Sequence, residues 1–151
     1  MKVTKAIFTT AFVILVSIFL NACVSDQDFG PIPSPPGEPI AYLTAENFHL
    51  ATVHRTPTLV YFYRHWCFFC GQQDPEIQSL HDQSHSHFRI FRMHLCDDIE
   101  SEEIFRYLFQ SFDQVGVPAF VLFQNGEVLG VPFMGMRPAD RLLEHINTII
   151  G

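Results

Sequence analysis

The alternation of apolar and polar positions divides the chain into three parts. Residues 6–20 form an apolar run after two lysines, residues 24–39 are rich in proline, and residues 41–151 carry strand and helix periodicities. The apolar run has 15 residues, whereas a helix that crosses a bilayer needs about 20. A charged start, a short apolar core and a small-residue exit predict a signal peptide over residues 1–22. An uncleaved membrane anchor is the alternative interpretation.

Strand patterns recur along the third part of the chain. The stretch TLVYFY is β-branched and aromatic without alternation, which is typical of a strand buried on both faces. Asn125-Gly126 is the strongest short signal for a β-hairpin, and it separates two further apolar runs. Four strands are predicted in all, over residues 58–63, 88–96, 119–123 and 127–133.

Helical patterns occupy the remaining intervals. Thr44 and Ser101 suit the N-cap positions of the first and third helices, Pro138 opens the last, and Pro75 predicts a kink in the second. The predicted helices cover residues 45–54, the run from the cysteine pair to about residue 84, residues 101–112 and residues 138–150. The order of elements predicts an α/β domain with a central mixed sheet flanked by helices.

The proline-rich part predicts a spacer over residues 23–40. Five prolines between Pro31 and Pro39 exclude a helix and favour an extended chain. At ~3.1 Å per residue, such a spacer holds a domain up to roughly 50 Å from its attachment point.

The charge of the exported chain excludes one class of partner. Without the signal, seven Arg stand against 16 acidic residues, a net charge of −9. Phosphate binding depends on clustered Lys and Arg, so nucleic acid is not an expected partner.

Leu20-Asn21-Ala22-Cys23 resembles the lipobox of bacterial lipoproteins. The resemblance implies acylation of Cys23 and attachment to a membrane through a lipid anchor. The inner-membrane retention signal of these lipoproteins is Asp at the next position, so Val24 favours the outer membrane. The expected location is the periplasmic side of the bacterial envelope. Ordinary signal cleavage that leaves an incidental Cys23 is the alternative.

Cys67 and Cys70 form a CxxC pair where a buried strand turns into a helix. The first helical turn offers unpaired N–H groups and a positive dipole end, which stabilise a thiolate on Cys67. The spacing brings Cys70 within bonding reach, so Cys67 would attack a disulfide and Cys70 would resolve the mixed disulfide. Arg64 and His65 favour the thiolate electrostatically, unless they are solvated loop charges. Two alternative interpretations of the pair remain: the cysteines provide half of a metal site, or they are two core thiols that happen to be close.

Trp66-Cys67-x-x-Cys70 resembles the active-site frame of the thioredoxin family. The stretch VGVPAFVLFQNGEVLG, residues 115–130, resembles the segment that carries a cis-proline in this family. Other features agree in order and spacing: Pro75 within the active-site helix, Gly135 after the last strand, and LTAENF, residues 43–48, at the opening of the domain. The resemblance covers roughly residues 41–150.

The resemblance implies a thioredoxin fold, thiol–disulfide oxidoreductase activity and a cis Val117-Pro118 bond. Pro118 is expected to pack against the cysteine pair, and the backbone of Val117 to pair with the extended chain of a substrate. Trp66 would shield one side of the site. A trans proline that opens a strand is the alternative.

Two departures from the family pattern bear on function. Phe68-Phe69 replaces Gly-Pro between the cysteines, and two exposed Phe side chains would enlarge an apolar docking surface. The alternative is that Phe69 packs into the core. Tyr61 aligns with a buried Asp of the family, and a phenol of pKa near 10 is a poor proton acceptor at neutral pH. The proton of Cys70 must then go to water or to another group.

Other cysteines and histidines suggest weaker sites. Cys96 is either a third redox thiol or a buried small residue. With His94 and the cysteine pair it would complete a zinc ligand count, but the family's cis-proline occupies the space a metal needs. His81 and His85 form either a metal clip or an ordinary polar helix terminus.

These observations predict an extracytoplasmic, membrane-tethered thiol–disulfide oxidoreductase that acts on protein disulfides. No organic cofactor or metal is expected beyond the redox-active Cys67–Cys70 disulfide, and electrons would come from a partner thiol protein. The first alternative is a non-catalytic binding module of an envelope assembly, in which the disulfide is permanent. The second is a metal-delivery or haem-assembly thiol protein, with His65 and His94 as candidate ligands.

Overall fold

The computed structural model describes residues 33–84, 87–95 and 98–151. Within these ranges the elements in chain order are β1 (Tyr42–Leu43), α1 (Ala45–Thr52), β2 (Thr58–Tyr63), α2 (Phe68–Gln83), β3 (Arg89–His94), α3 (Ile99–Leu108), β4 (Ala119–Gln124), β5 (Glu127–Met134) and α4 (Ala139–Ile150).

The strands form one mixed sheet in the order β1-β3-β2-β4-β5. β1 and β2 run parallel to β3, which lies between them. β4 is antiparallel to β2 and to β5. β1 lies at one edge of the sheet, and β5 of the β4–β5 hairpin lies at the other. The carboxyl ends of β2 and β3 therefore meet at the same end of the sheet.

Two hydrophobic cores cover the two faces of the sheet. Because successive side chains of a strand point to opposite faces, Tyr61 of β2 joins the core under α2 and α4, with Ile77. Phe62 points the other way, into the core under α1 and α3, with Phe105. All six residues of β2 are buried, which confirms the pattern that its sequence predicted. The cysteine pair therefore directly follows the most buried strand of the sheet.

The predicted α/β class with a mixed sheet and flanking helices is confirmed. The hairpin signal is confirmed too, since Asn125 and Gly126 have φ angles of 54° and 84°, the left-handed values that a two-residue turn of this kind requires. Pro75 lies inside α2, as expected. Local chemistry was therefore sufficient to predict the elements around the site.

The predicted start of the third helix is wrong. Asp98 is the N-cap, because its carboxylate accepts the backbone N–H of Ser101, and α3 begins at Ile99. Ser101 is buried in the first turn instead. The structure also contains β1, a strand of two residues that is too short to show a period. The ends of α1 and α3 fall at Thr52 and Leu108, two and four residues earlier than predicted.

The described part of the proline-rich segment lies against α2. Three side chains of α2 bind its backbone: His81 Nε2 donates to the carbonyl oxygen of Ser34 at 2.8 Å, Gln78 Nε2 donates to that of Glu38 at 2.9 Å, and Asp82 Oδ1 accepts the N–H of Gly37 at 2.8 Å. Ile40 is buried in the core under α2. His81 lies in the last turn of α2, as the polar helix terminus interpretation expected, and it is buried against this segment.

Replacing Asp82 by alanine is expected to release this contact. The hydrogen bond from the Gly37 N–H holds the pKa of Asp82 below its ordinary value. A carboxyl with a lowered pKa stabilises the folded contact above the unfolded pKa of ~3.9 and loses that effect as pH falls through the folded pKa. Asp82→Ala should therefore lower the protection factor of the Gly37 amide at neutral pH, and in the natural protein the same protection factor, taken against the intrinsic exchange rate at each pH, should fall in acid.

Glu103→Ala, which removes an exposed carboxylate of α3, is the matched control and should leave Gly37 exchange unchanged. Equal Gly37 protection in Asp82→Ala and the natural protein would refute the contact.

Several predictions lie outside the described residues. They are the signal peptide over 1–22, the lipidation of Cys23, the role of Val24, and the positions of His85 and Cys96. In the part of the chain that is described, no helix is both long and apolar enough to span a membrane.

Candidate active site

Cys67 and Cys70 lie where β2 ends and α2 begins, and a disulfide joins them. Cys67 is the N-cap of α2, and its sulfur accepts the backbone N–H of Cys70 at 3.1 Å. This is the edge where parallel strands end beside an antiparallel neighbour, a position at which α/β sheets commonly bind ligands. Cys67 is half-buried, whereas Cys70 is 2% exposed. An approaching group therefore reaches the sulfur of Cys67 first.

The loop before β4 brings a second backbone segment against the sulfurs. The Val117-Pro118 bond is cis, as the sequence predicted. The carbonyl oxygen of Val117 lies 3.4 Å from Cys67 Sγ. Gly135, after β5, donates its N–H to the carbonyl oxygen of Pro118 at 2.8 Å and has a φ of 91°, which L side chains rarely adopt. The glycine after the last strand thus supports the loop beside the disulfide.

Three aromatic side chains around the disulfide are exposed, and they form what we call the aromatic patch: Trp66, Phe68 and Phe69. Their exposed fractions are 73%, 73% and 58%. The rings of Phe68 and Phe69 meet edge to face at 5.6 Å between centroids. The alternative that Phe69 packs into the core is therefore wrong. Exposed aromatic groups that are contiguous with a reactive centre usually mark a contact surface.

Arg64 and His65 precede the site and are each held by partners. Both carboxylate oxygens of Glu102 accept hydrogen bonds from Arg64 Nη2, at 2.6 and 2.7 Å, and the guanidinium lies 5.3 Å from the Trp66 ring centroid. The ring centroids of His65 and His94 lie 3.9 Å apart, and the backbone N–H of His65 donates to His94 Nε2 at 3.3 Å. Glu102 offsets the positive charge of Arg64, which weakens the expected electrostatic support for a thiolate.

A group of polar side chains lies beneath Cys70 and runs from the core under α2 to the surface: Tyr61 is fully buried, whereas the Asp74 side chain is half-exposed. The Tyr61 hydroxyl lies 3.2 Å from the carbonyl oxygen of Cys70 and 3.3 Å from Asp74 Oδ1, and its one proton is shared between these two acceptors. Arg92 of β3 donates to the same Asp74 oxygen at 3.2 Å. Burial, and secondarily the charge of Asp74, raises the pKa of Tyr61 well above its ordinary value. Tyr61 is therefore a neutral donor, which agrees with the expectation that it is a poor proton acceptor.

Two residues of α2 that the sequence did not single out bind the backbone of residues 137–139, where α4 begins. Gln73 is buried, accepts the N–H of Arg137 at 2.7 Å and donates to its carbonyl oxygen at 2.9 Å. Glu76 accepts the N–H of Ala139 at 2.7 Å, at the start of α4. The sequence signal for Gln73 is its place four residues before Ile77 on the buried face of α2, where a polar side chain needs a hydrogen-bond partner.

Among the described residues, no group of three or more His, Cys, Asp or Glu side chains is arranged to hold a metal ion. His65 and His94 lie together, but Cys96, the fourth residue of the zinc set considered from the sequence, lies outside the described ranges. The chemistry that this edge of the sheet presents is that of a disulfide under an exposed aromatic patch.

Comparison with known proteins agrees with this geometry. The family model described as Thioredoxin matches residues 39–148. A solved structure of an N21Q mutant thioredoxin from Halobacterium salinarum NRC-1 shares 22% identity, with a TM-score of 0.58 over 78% of this chain and 96% of that one. A thioredoxin from Malassezia sympodialis shares 16% identity, with a TM-score of 0.59 over 80% and 96%. Both structures show the likeness of the fold.

A curated relative is the probable protein disulfide-isomerase A6 of Medicago sativa. It is 28% identical over 109 residues, which are 72% of this chain and 29% of the relative. The chain thus spans less than a third of the length of this relative.

Proposed function

The chain belongs to the thioredoxin family, and from that premise we propose that it is a thiol–disulfide oxidoreductase acting on protein disulfides through Cys67 and Cys70. The observation that carries this proposal is the disulfide at the N-terminus of α2, with one half-buried sulfur and one buried sulfur. A helix N-terminus stabilises a thiolate on the first sulfur, and the buried second sulfur is positioned to resolve.

The proposed reaction balances electrons between the substrate and the cysteine pair. In the reduced protein, the Cys67 thiolate attacks a substrate disulfide, one substrate sulfur leaves as a thiolate, and a mixed disulfide forms. Cys70 then loses its proton and attacks Cys67 Sγ, which expels the second substrate sulfur. The substrate gains two electrons and the pair becomes the disulfide. A dithiol partner protein returns two electrons, and no metal or organic cofactor takes part.

The substrate is proposed to lie across the aromatic patch and the Val117-Pro118 loop. Trp66 and Phe68 offer apolar contacts beside the disulfide, and the Val117 backbone lies 3.4 Å from the reactive sulfur. Pro118 is buried and holds that backbone in place. An extended polypeptide fits such a surface, because its backbone can pair with Val117 while apolar side chains contact the rings.

Exchange with glutathione tests the proposed activity against its main rival. The rival is a binding module in which the aromatic patch docks a partner and the disulfide is permanent; the exposure of this patch favours it. The oxidoreductase is expected to equilibrate with glutathione at a reduction potential between about −270 and −120 mV. A potential below about −300 mV, without exchange, would support the binding module instead.

We also propose that the domain works on the periplasmic side of a bacterial envelope, tethered by a lipid on Cys23, with the outer membrane favoured over the inner. The lipobox-like sequence and Val24 support this location. Mass spectrometry of the protein purified from membranes should find an acylated Cys23 at the N-terminus. An unmodified Cys23, or a different first residue, would reject the anchor.

A further inference from the structure

A buried thiol that must ionise needs a nearby proton acceptor. Cys70 is 2% exposed, and burial in apolar surroundings disfavours the charged form of a thiol. In the reaction proposed above, Cys70 must nevertheless lose its proton before it attacks the mixed disulfide. Bulk water reaches the Cys70 sulfur poorly from the solvent side of the site, because Cys67 and the bound substrate would cover that side during this step.

The groups beneath Cys70 come from three elements. β2 contributes Tyr61 and, more distantly, Tyr63; β3 contributes Arg92; and α2 contributes Asp74. Tyr61 is a neutral donor and Arg92 a cation, so neither accepts a proton. Among these groups Asp74 is the carboxylate, and it lies one helical turn after Cys70, on the same face of α2.

We propose that Asp74 takes the proton of Cys70, directly or through one water molecule, when Cys70 attacks the mixed disulfide. Tyr61 and Arg92 are positioning residues. The single hydroxyl of Tyr61 contacts both the Cys70 carbonyl oxygen and Asp74 Oδ1, which fixes the carboxylate beside the turn that carries the thiol. Arg92 binds the same oxygen and offsets its charge, leaving Oδ2 to receive the proton.

The proton has a route out of the site. The Asp74 side chain is 41% exposed, whereas that of Arg92 is 13% exposed. Asp74 therefore links a buried thiol to solvent and can pass the proton to water, or to the departing substrate thiolate, after the Cys67–Cys70 bond has formed. The step balances: one S–S bond forms, one breaks, and one proton moves from sulfur to carboxylate.

The test rests on the proposed function and isolates its second step. Reduced protein is mixed with oxidised glutathione, and release of the second glutathione from the Cys67 mixed disulfide is timed between pH 6 and pH 8. With Asp74 as the base, the natural protein should show a nearly flat rate over this range. Asp74→Asn should be about a hundredfold slower at pH 7, the lower end of the contribution of a general base. Its rate should rise about tenfold per pH unit, because only ionisation of the thiol by solvent remains.

Matched variants separate a base from a structural carboxylate. Asp74→Glu keeps a carboxylate and should recover most of the flat profile. Asp82→Asn, on the same helix but away from the sulfurs, should match the natural protein. Tyr61→Phe should slow release less than Asp74→Asn does and keep the flat profile, because it removes a positioning contact only.

The possible results distinguish a failure of the proposed function from a failure of the role proposed for Asp74. A natural protein that never forms the mixed disulfide would refute the proposed function, and this step with it. Normal exchange together with an Asp74→Asn variant of unchanged rate and profile would refute the role of Asp74 alone. An Asp74→Asn variant that is slower but keeps the flat profile would also overturn it, since a structural defect changes the rate without changing its dependence on pH.

Discussion

Cys67→Ser is expected to reduce disulfide exchange to the rate of buffer alone, while Cys70→Ser should arrest the reaction after one step. The thiolate is the attacking group, and a serine hydroxyl does not ionise at neutral pH to replace it. Cys70→Ser keeps the half-buried nucleophile but lacks the resolving sulfur. It should therefore bind one equivalent of substrate as a mixed disulfide on Cys67 and then stop.

Turnover with a disulfide-bonded protein substrate and intact mass of the products measure both effects. The Cys67→Ser, Cys70→Ser double variant is the control for adventitious capture. Substantial turnover by Cys67→Ser would show that Cys67 is not the nucleophile. Capture by Cys70→Ser no greater than that by the double variant would show that no mixed disulfide forms.

Phe62→Ala is expected to destabilise the fold by about 3–5 kcal/mol, the usual cost of truncating a buried Phe. Phe62 is fully buried in β2 and contacts the rings of Phe48, Phe105 and Phe109. The loss is a large share of the ~5–15 kcal/mol that stabilises a typical domain. Urea unfolding should show a lower midpoint with an unchanged slope.

Phe68→Ala is the matched control, because it makes the same truncation six residues along the chain at an exposed position. Its free energy of unfolding should stay within about 0.5 kcal/mol of that of the natural protein. If the aromatic patch binds substrate, Phe68→Ala should slow exchange with a protein disulfide and leave exchange with glutathione unchanged. Equal destabilisation by the two variants would contradict the difference in burial between them.

The parts of the fold that the sequence predicted are those that local chemistry determines. The unbroken apolar and aromatic run of β2, the Asn125-Gly126 turn and the placement of Cys67 at a helix start follow from neighbouring residues alone. The predicted start of α3 was wrong because Asp98 and Ser101 both have side chains that suit an N-cap. In the folded domain Asp98 is the N-cap, and Ser101 is buried in the first turn. β1 was missed because it consists of two residues that pair with a strand 50 positions away.

Asp74 and Arg92, which lie near Tyr61 beneath the site, were missed for a different physical reason. Tyr61, Asp74 and Arg92 come from β2, α2 and β3, and only the parallel pairing of Tyr61 with Arg92 brings them together under the helix. No local spacing marks Asp74 as a neighbour of a strand residue 13 positions earlier. The sequence did indicate that Tyr61 is a poor acceptor for the proton of Cys70, and the structure places a carboxylate, Asp74, in contact with the Tyr61 hydroxyl.

The pH dependence of thiol alkylation in the reduced protein, read peptide by peptide, tests the central claim most directly. Cys67 should react rapidly near neutrality, with its half-maximal rate below about pH 7.5, as for thiols at helix N-termini. Cys70, which is buried, should react far more slowly at every pH. If both cysteines remain inert near pH 7 once the disulfide has been reduced, the pair is not a redox centre.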